Sequence, residues 1–157
     1  MLKINNIKIE VNTNNGLYGT FHTFNSGLNI IRGNNTSGKS SLFQAIVYAL
    51  GFEELIGGRF EKTMQSVLKD QVEYPKNSFH SVLQSFILLE IENTKGEIIT
   101  LRRFVQNPNR KSQLIDVYSG SILIYNELES RPMYVHDKGG ASDENYGFHM
   151  YLEEFLN

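Results

Sequence analysis

Gly33-Asn34-Asn35-Thr36-Ser37-Gly38-Lys39-Ser40 is the stretch on which the fold of this 157-residue chain turns. It fits the pattern G-x-x-x-x-G-K-[ST], in which successive backbone N–H groups converge on an anion and the following helix aims its positive end at the same place. Gly33 and Gly38 allow turns that a Cβ would hinder, and let the backbone approach phosphates closely. Lys39 supplies a point charge for the β- and γ-phosphates, and the Ser40 hydroxyl is placed to ligand Mg²⁺. The predicted phosphate site is therefore Gly33, Asn34, Asn35, Thr36, Ser37, Gly38, Lys39, Ser40 and Ser41, with Ser40 also the metal ligand. Only four positions of the pattern are fixed, so the flanks have to decide between a true phosphate loop and polar residues that merely cap a helix.

The flanks favour the phosphate loop. Leu28-Asn29-Ile30-Ile31-Arg32 reads as a short strand leading into it, and from Ser37 to Leu50 the pattern becomes helical, with Leu42, Ala45, Ile46, Ala49 and Leu50 on one face and Gly51 where a helix commonly ends. Upstream, Leu2 to Val11 alternates roughly as a strand with one wet face, Asn12-Thr13-Asn14-Asn15-Gly16 breaks it, and a second extended piece runs from Leu17 to Phe24. Downstream, residues 52–77 predict a loop around Gly57-Gly58-Arg59 and a short helix through Glu61 to Lys69. Ser81 to Glu92 and Glu97 to Val105 flank the hairpin turn Asn93-Thr94-Lys95-Gly96, and Asn107-Pro108-Asn109-Arg110 leads to Gln113 to Tyr118, so these three strands predict an antiparallel meander. Ser121 to Tyr125 reads as extended, Gly140 to Asn145 as a loop, and Tyr146 to Leu156 as a helix.

With 40% hydrophobic and 11% aromatic residues the chain has material for one ordinary core, so residues 1–157 are expected to form a single domain. Its parts are a P-loop core (1–51), an antiparallel β-subdomain (81–125) and a C-terminal loop and helix (140–157). The absence of cysteine excludes disulfides and thiolate chemistry, and His22, His80, His136 and His149 show no metal-ligand spacing. Charge is balanced, 15 Lys+Arg against 17 Asp+Glu, so no general basic field announces a nucleic-acid binder. Nothing resembles a signal peptide, and no run approaches the roughly 20 apolar residues of a membrane helix. A cytoplasmic protein with no membrane partner is expected.

Other polar residues read as ordinary. Arg59 is a solvated loop charge or a reach toward a phosphate or partner. Arg102 and Arg103 point to opposite strand faces, one solvated and one packed along its stem. Glu127, Glu129, Asp143, Glu144, Glu153 and Glu154 lack the strand-end context of a Mg²⁺-binding carboxylate, and no catalytic residue is assigned.

The chain resembles the N-terminal part of an ABC-type ATPase head of the SMC, Rad50 and RecF/RecN kind, to which SbcC-like proteins also belong. The residues that carry the resemblance are Leu2-Lys3-Ile4 with Asn6, then Phe24-Asn25-Ser26-Gly27-Leu28-Asn29-Ile30-Ile31, the loop itself, and Leu42-Phe43-Gln44-Ala45-Ile46-Val47-Tyr48-Ala49-Leu50-Gly51. Gly96-Glu97-Ile98 and Leu101-Arg102-Arg103 are similar to the antiparallel subdomain that follows that helix. The resemblance implies an α/β P-loop NTPase fold, a mixed sheet with the P-loop helix packed on it, ATP and Mg²⁺ as cofactors, a head dimer closing around two nucleotides, and action on DNA in repair or defence.

Two departures stand out. Thr36 takes the place of the family loop's middle glycine, and no Q-loop, coiled coil, signature motif, Walker-B carboxylate or switch histidine follows the meander. Gln106 and Gln113 lie in the hairpin region, and Phe86-Ile87-Leu88-Leu89-Glu90 is an ordinary strand. The sequence therefore reads as an N-terminal half-head that binds Mg²⁺-ATP and depends on a C-terminal half for hydrolysis. The rival readings are a complete small P-loop kinase or GTPase, and a β-rich interaction module with an accidental loop match.

Overall fold

The computed structural model describes residues 1–34, 38–135 and 147–157. Its elements in chain order are β1 (Lys3–Thr13), β2 (Gly16–Thr23), α1 (Lys39–Ala49), α2 (Ser66–Lys69), β3 (Gln71–Glu73), β4 (Phe79–Glu92), β5 (Ile98–Gln106), β6 (Leu114–Tyr118), β7 (Ser130–Tyr134) and α3 (Phe148–Leu156). Short 3-10 turns occupy Glu53–Ile56, Phe60–Thr63 and Tyr125–Glu127. The seven strands form a sheet of order β2-β1-β4-β5-β6-β7, with β3 paired to β4 beside this path.

Alternation builds the sheet. Ile7, Ile9 and Val11 of β1 face the core while Lys8 and Glu10 point the other way, and pairing Ile7 with Leu89 and Ile9 with Ile87 aligns the apolar rows of β1 and β4. The same inner face takes Ile91, Leu101, Val105, Ile115 and Val117, and onto it pack Leu42, Ala45, Tyr48 and Ala49 of α1 and Phe148 and Leu152 of α3. Each Ile, Leu, Val or Phe among them contributes about 1.5–3 kcal/mol when fully buried. Phe86, Leu88, Phe104 and Ile122 make a smaller cluster. Asn93 closes the β4–β5 turn by accepting the N–H of Lys95 and of Glu97, while its Nδ2 donates to the carbonyl of Phe155 and ties α3 to that turn.

The α/β class and the meander are as the sequence predicts, but the sheet is antiparallel where a mixed sheet was expected: every described pairing is antiparallel. The strand predicted over Leu28–Arg32 does not form: the segment pairs with no described strand, and Leu28 (88%), Ile30 (79%) and Ile31 (48%) stand exposed. β1 and β2 join the meander in one sheet through β1–β4 pairing. The extended piece expected over Ser121–Tyr125 is a turn, bent by the buried Glu90 carboxylate, which accepts the Ser121 hydroxyl and the Ile122 N–H at 2.8 Å each. β7 escapes the sequence pattern because Pro132 interrupts it, and Pro is tolerated there since β7 is an edge strand. The loop predicted over Gly140–Asn145 lies outside the described residues, as do His136, Asp143 and Glu144.

Candidate functional site

The described part of the predicted phosphate site is Gly33, Asn34 and Gly38 to Ser41; Asn35, Thr36 and Ser37 lie outside it. Gly38 precedes α1 in the left-handed region, φ 81°, a conformation that favours glycine, and a Cβ there would meet nothing within 4 Å. The first intrahelical bond runs from Leu42 N to Gly38 O at 2.9 Å. The N–H groups of Lys39, Ser40 and Ser41 therefore have no acceptor within their own helix, Gly38 has no side chain to cap it, and no acidic residue lies in its first turn. The helix starts as an electropositive end.

Lys39 folds back over the loop entrance. Its Nζ donates to the carbonyl of Gly33 and to that of Asn34, each at 2.6 Å, which holds the ammonium between the incoming chain and the helix start. Gly33, Asn34, Gly38 and Ser40 are exposed, and Lys39 and Ser41 partly so, leaving the cradle open on the solvent side. The arrangement presents one cation and several backbone donors to an anion, which suits a phosphate. Ser40 offers a hydroxyl to a divalent cation, but among the described residues no cluster of three His, Cys, Asp or Glu exists to hold a metal by itself. A cation at Ser40 would take its remaining ligands from phosphate oxygens and water.

Two connections that the sequence did not announce stabilise the surroundings. Ser41 donates its hydroxyl to Gln65 Oε1 at 2.7 Å, linking α1 to the turn before α2. Arg103 is wholly buried, and its guanidinium forms a forked pair with Glu53 at 2.7 and 2.9 Å, donates to the carbonyls of Ser112 and Tyr48, and lies 3.9 Å from the centre of the Tyr48 ring. Burial pushes the Tyr48 hydroxyl above its ordinary value, against the opposing charge of Arg103. Its proton goes to the carbonyl of Phe104 at 2.7 Å. Spacing gives no warning of a pair 50 positions apart.

The expectation that one of Arg102 and Arg103 is merely packed along its stem therefore needs correction: Arg103 is an interior charge with a partner, and Arg102 pairs with the buried Asp116 at 3.0 Å. Arg59 is exposed and pairs with Glu54 at 3.3 Å. Glu90 spends its carboxylate on Asn6, Ser121 and Ile122. Gln106 and Gln113 sit by their backbones, the former donating its N–H to Ser85 Oγ and the latter accepting from Val135. Glu127, Glu129, Glu153 and Glu154 are exposed, and His149 stacks on Phe52 with ring centres 5.0 Å apart. No described helix is long and apolar enough to cross a membrane.

Residues 2–151 fit a family described as an AAA domain. No curated protein and no solved structure matches the chain.

Proposed function

Because the chain belongs to this AAA domain family, a class of P-loop ATPase-like domains, over residues 2–151, we propose that it is the nucleotide-binding N-terminal part of an SMC- and Rad50-like ATPase, taking Mg²⁺-ATP by its phosphates at Gly33 to Ser41. The family membership implies nucleotide binding, commonly with Mg²⁺. The observation that carries the reading to these residues is the Lys39 ammonium fixed between the Gly33 and Asn34 carbonyls, beside the start of α1.

In this reading the backbone N–H groups of α1 bind the phosphate oxygens, Lys39 exchanges a carbonyl for the β- and γ-phosphates, and Ser40 orients the metal. The bound metal supplies charge neutralisation at the terminal phosphates. Hydrolysis needs a residue that aligns an attacking water, which the proposal assigns to a partner: a C-terminal half of the same head, and a head dimer that acts on DNA. The exposed row Leu28, Ile30 and Ile31, strand-like in sequence and unpaired in structure, supports a second polypeptide segment completing the sheet beside the loop.

Calorimetric titration tests the reading. Mg²⁺-ATP is expected to bind the wild type, and Lys39→Ala to weaken it at least tenfold by deleting the loop's cation. Equal affinities would remove the P-loop assignment. Ser40→Ala is expected to reduce binding with Mg²⁺ more than binding without it, since its hydroxyl is a metal ligand and the phosphates rest on backbone N–H groups.

A further inference from the structure

Ser40 and Ser41 are neighbours at the start of α1 with different surroundings. Ser40 is exposed, while the Ser41 hydroxyl is committed to Gln65 Oε1, 24 positions downstream. Gln65 is extended (φ −69°, ψ 155°) at the threshold of α2 and makes no side-chain cap for that turn. Its side chain reaches away from its own element toward α1.

The turn that carries Gln65 is fastened to the sheet. Leu68 is buried, its carbonyl accepts the Ser85 hydroxyl, and the Asp70 carbonyl accepts the Val82 N–H at 2.9 Å. The Gln65–Ser41 bond therefore ties the first turn of α1 to a fixed support. Helix ends fray in their first turn, and this end carries the N–H groups, the Lys39 stem and the Ser40 hydroxyl. Holding it in place before the ligand arrives lowers the ordering cost of binding.

We infer that Gln65 is a positioning residue for the phosphate site, acting through Ser41 to keep the first turn of α1 in its binding conformation. The inference rests on the P-loop reading above. The Gln65 carboxamide oxygen is the acceptor that matters, so a side chain of equal reach without an acceptor loses the effect and Gln65→Glu retains it.

The experiment is calorimetric Mg²⁺-ATP titration, with melting temperatures measured without nucleotide, on wild type, Gln65→Met, Ser41→Ala, the double variant, Gln65→Glu and Lys39→Ala. Gln65→Met and Ser41→Ala are each expected to weaken binding about three- to tenfold, the worth of one hydrogen bond. The double variant should bind no more weakly than either single one, because both remove the same bond. Gln65→Glu should bind Mg²⁺-ATP more tightly than Gln65→Met, and melting temperatures should stay at the wild-type value. If Lys39→Ala weakens binding while Gln65→Met does not, the positioning role falls and the P-loop reading stands. Losses that multiply in the double variant, or that track a falling melting temperature, also overturn the role. If Lys39→Ala binds as wild type does, the P-loop reading itself falls and takes the inference with it.

Discussion

Glu53 and Arg103 set two opposing forces against each other inside the core. Burial opposes ionisation of the Glu53 carboxyl, but hydrogen bonds from Arg103 and its charge outweigh it, so the folded carboxyl titrates below its ordinary value of 4.5. A lowered folded value contributes stability that is fully present above the unfolded value and is lost as the pH falls through the folded one. Acid unfolding below about pH 4.5 should therefore flatten in Glu53→Gln, whose residue 53 no longer titrates, as read by urea titrations at stepped pH. Arg103→Met is expected to cost about 3–5 kcal/mol, because it strands the buried carboxylate, and adding Glu53→Gln should recover part of the loss. Gln44 is the converse case: its Oε1 is buried without a hydrogen-bond partner among the described residues. Gln44→Met keeps the length and removes the orphaned acceptor, so a gain of about 1 kcal/mol is expected, seen as a rise of about 2–4 °C in melting temperature. At this scale the place of Lys39 at the opening of α1, after Gly38, was legible, because one short stretch encodes it. Gln65 and Glu53 were not, since each gains its partner only when distant segments fold together.

The same division between local and distant causes holds for elements. The β4–β5 hairpin was legible because Asn93 and Gly96 (φ 80°) encode its turn within a few residues, and α1 because its apolar spacing and Gly51 mark face and end. Even so, the buried face of α1 includes Tyr48, whereas Ile46 is only partly buried. Leu28–Arg32 has strand composition and no strand, since a ladder needs a neighbour as well as a propensity. Gly51 shows how strictly one junction is specified. It leaves α1 at φ 74°, and a Cβ there would lie 2.9 Å from both His149 Nε2 and Val135 Cγ1. Gly51→Ala combines backbone strain with that crowding against α3 and the residue after β7, so a loss of about 2 kcal/mol or more is expected in denaturant unfolding. Removing the His149 ring as well should relieve part of it.

For the molecule as a whole, the proposed function separates holding the phosphates from the chemistry. Phosphoryl transfer to water needs an aligned nucleophile and charge stabilisation around the γ-phosphate, beyond a phosphate cradle and one lysine. The chain alone is therefore expected to bind Mg²⁺-ATP yet release phosphate at the rate of a Lys39→Ala blank, over a wide range of protein concentration. Turnover of about one per second or faster, abolished by Lys39→Ala, would instead establish a site complete within this chain, as in a compact kinase or GTPase. The sheet order adds a temporal consequence. Lys3 of β1 pairs with Glu92 of β4, 89 positions later, so the loop and α1 are an excursion inside a ring that β4 closes. On the ribosome, Ile7, Ile9 and Val11 emerge early and wait for Ile87 and Leu89 before they gain a partner on their inner side. Nascent chains halted with Phe79 still inside the exit tunnel should thus be cut freely by protease whether or not ATP is present, and those extruded past Gln106 should resist, so that translation itself sets the earliest moment at which the nucleotide can be held.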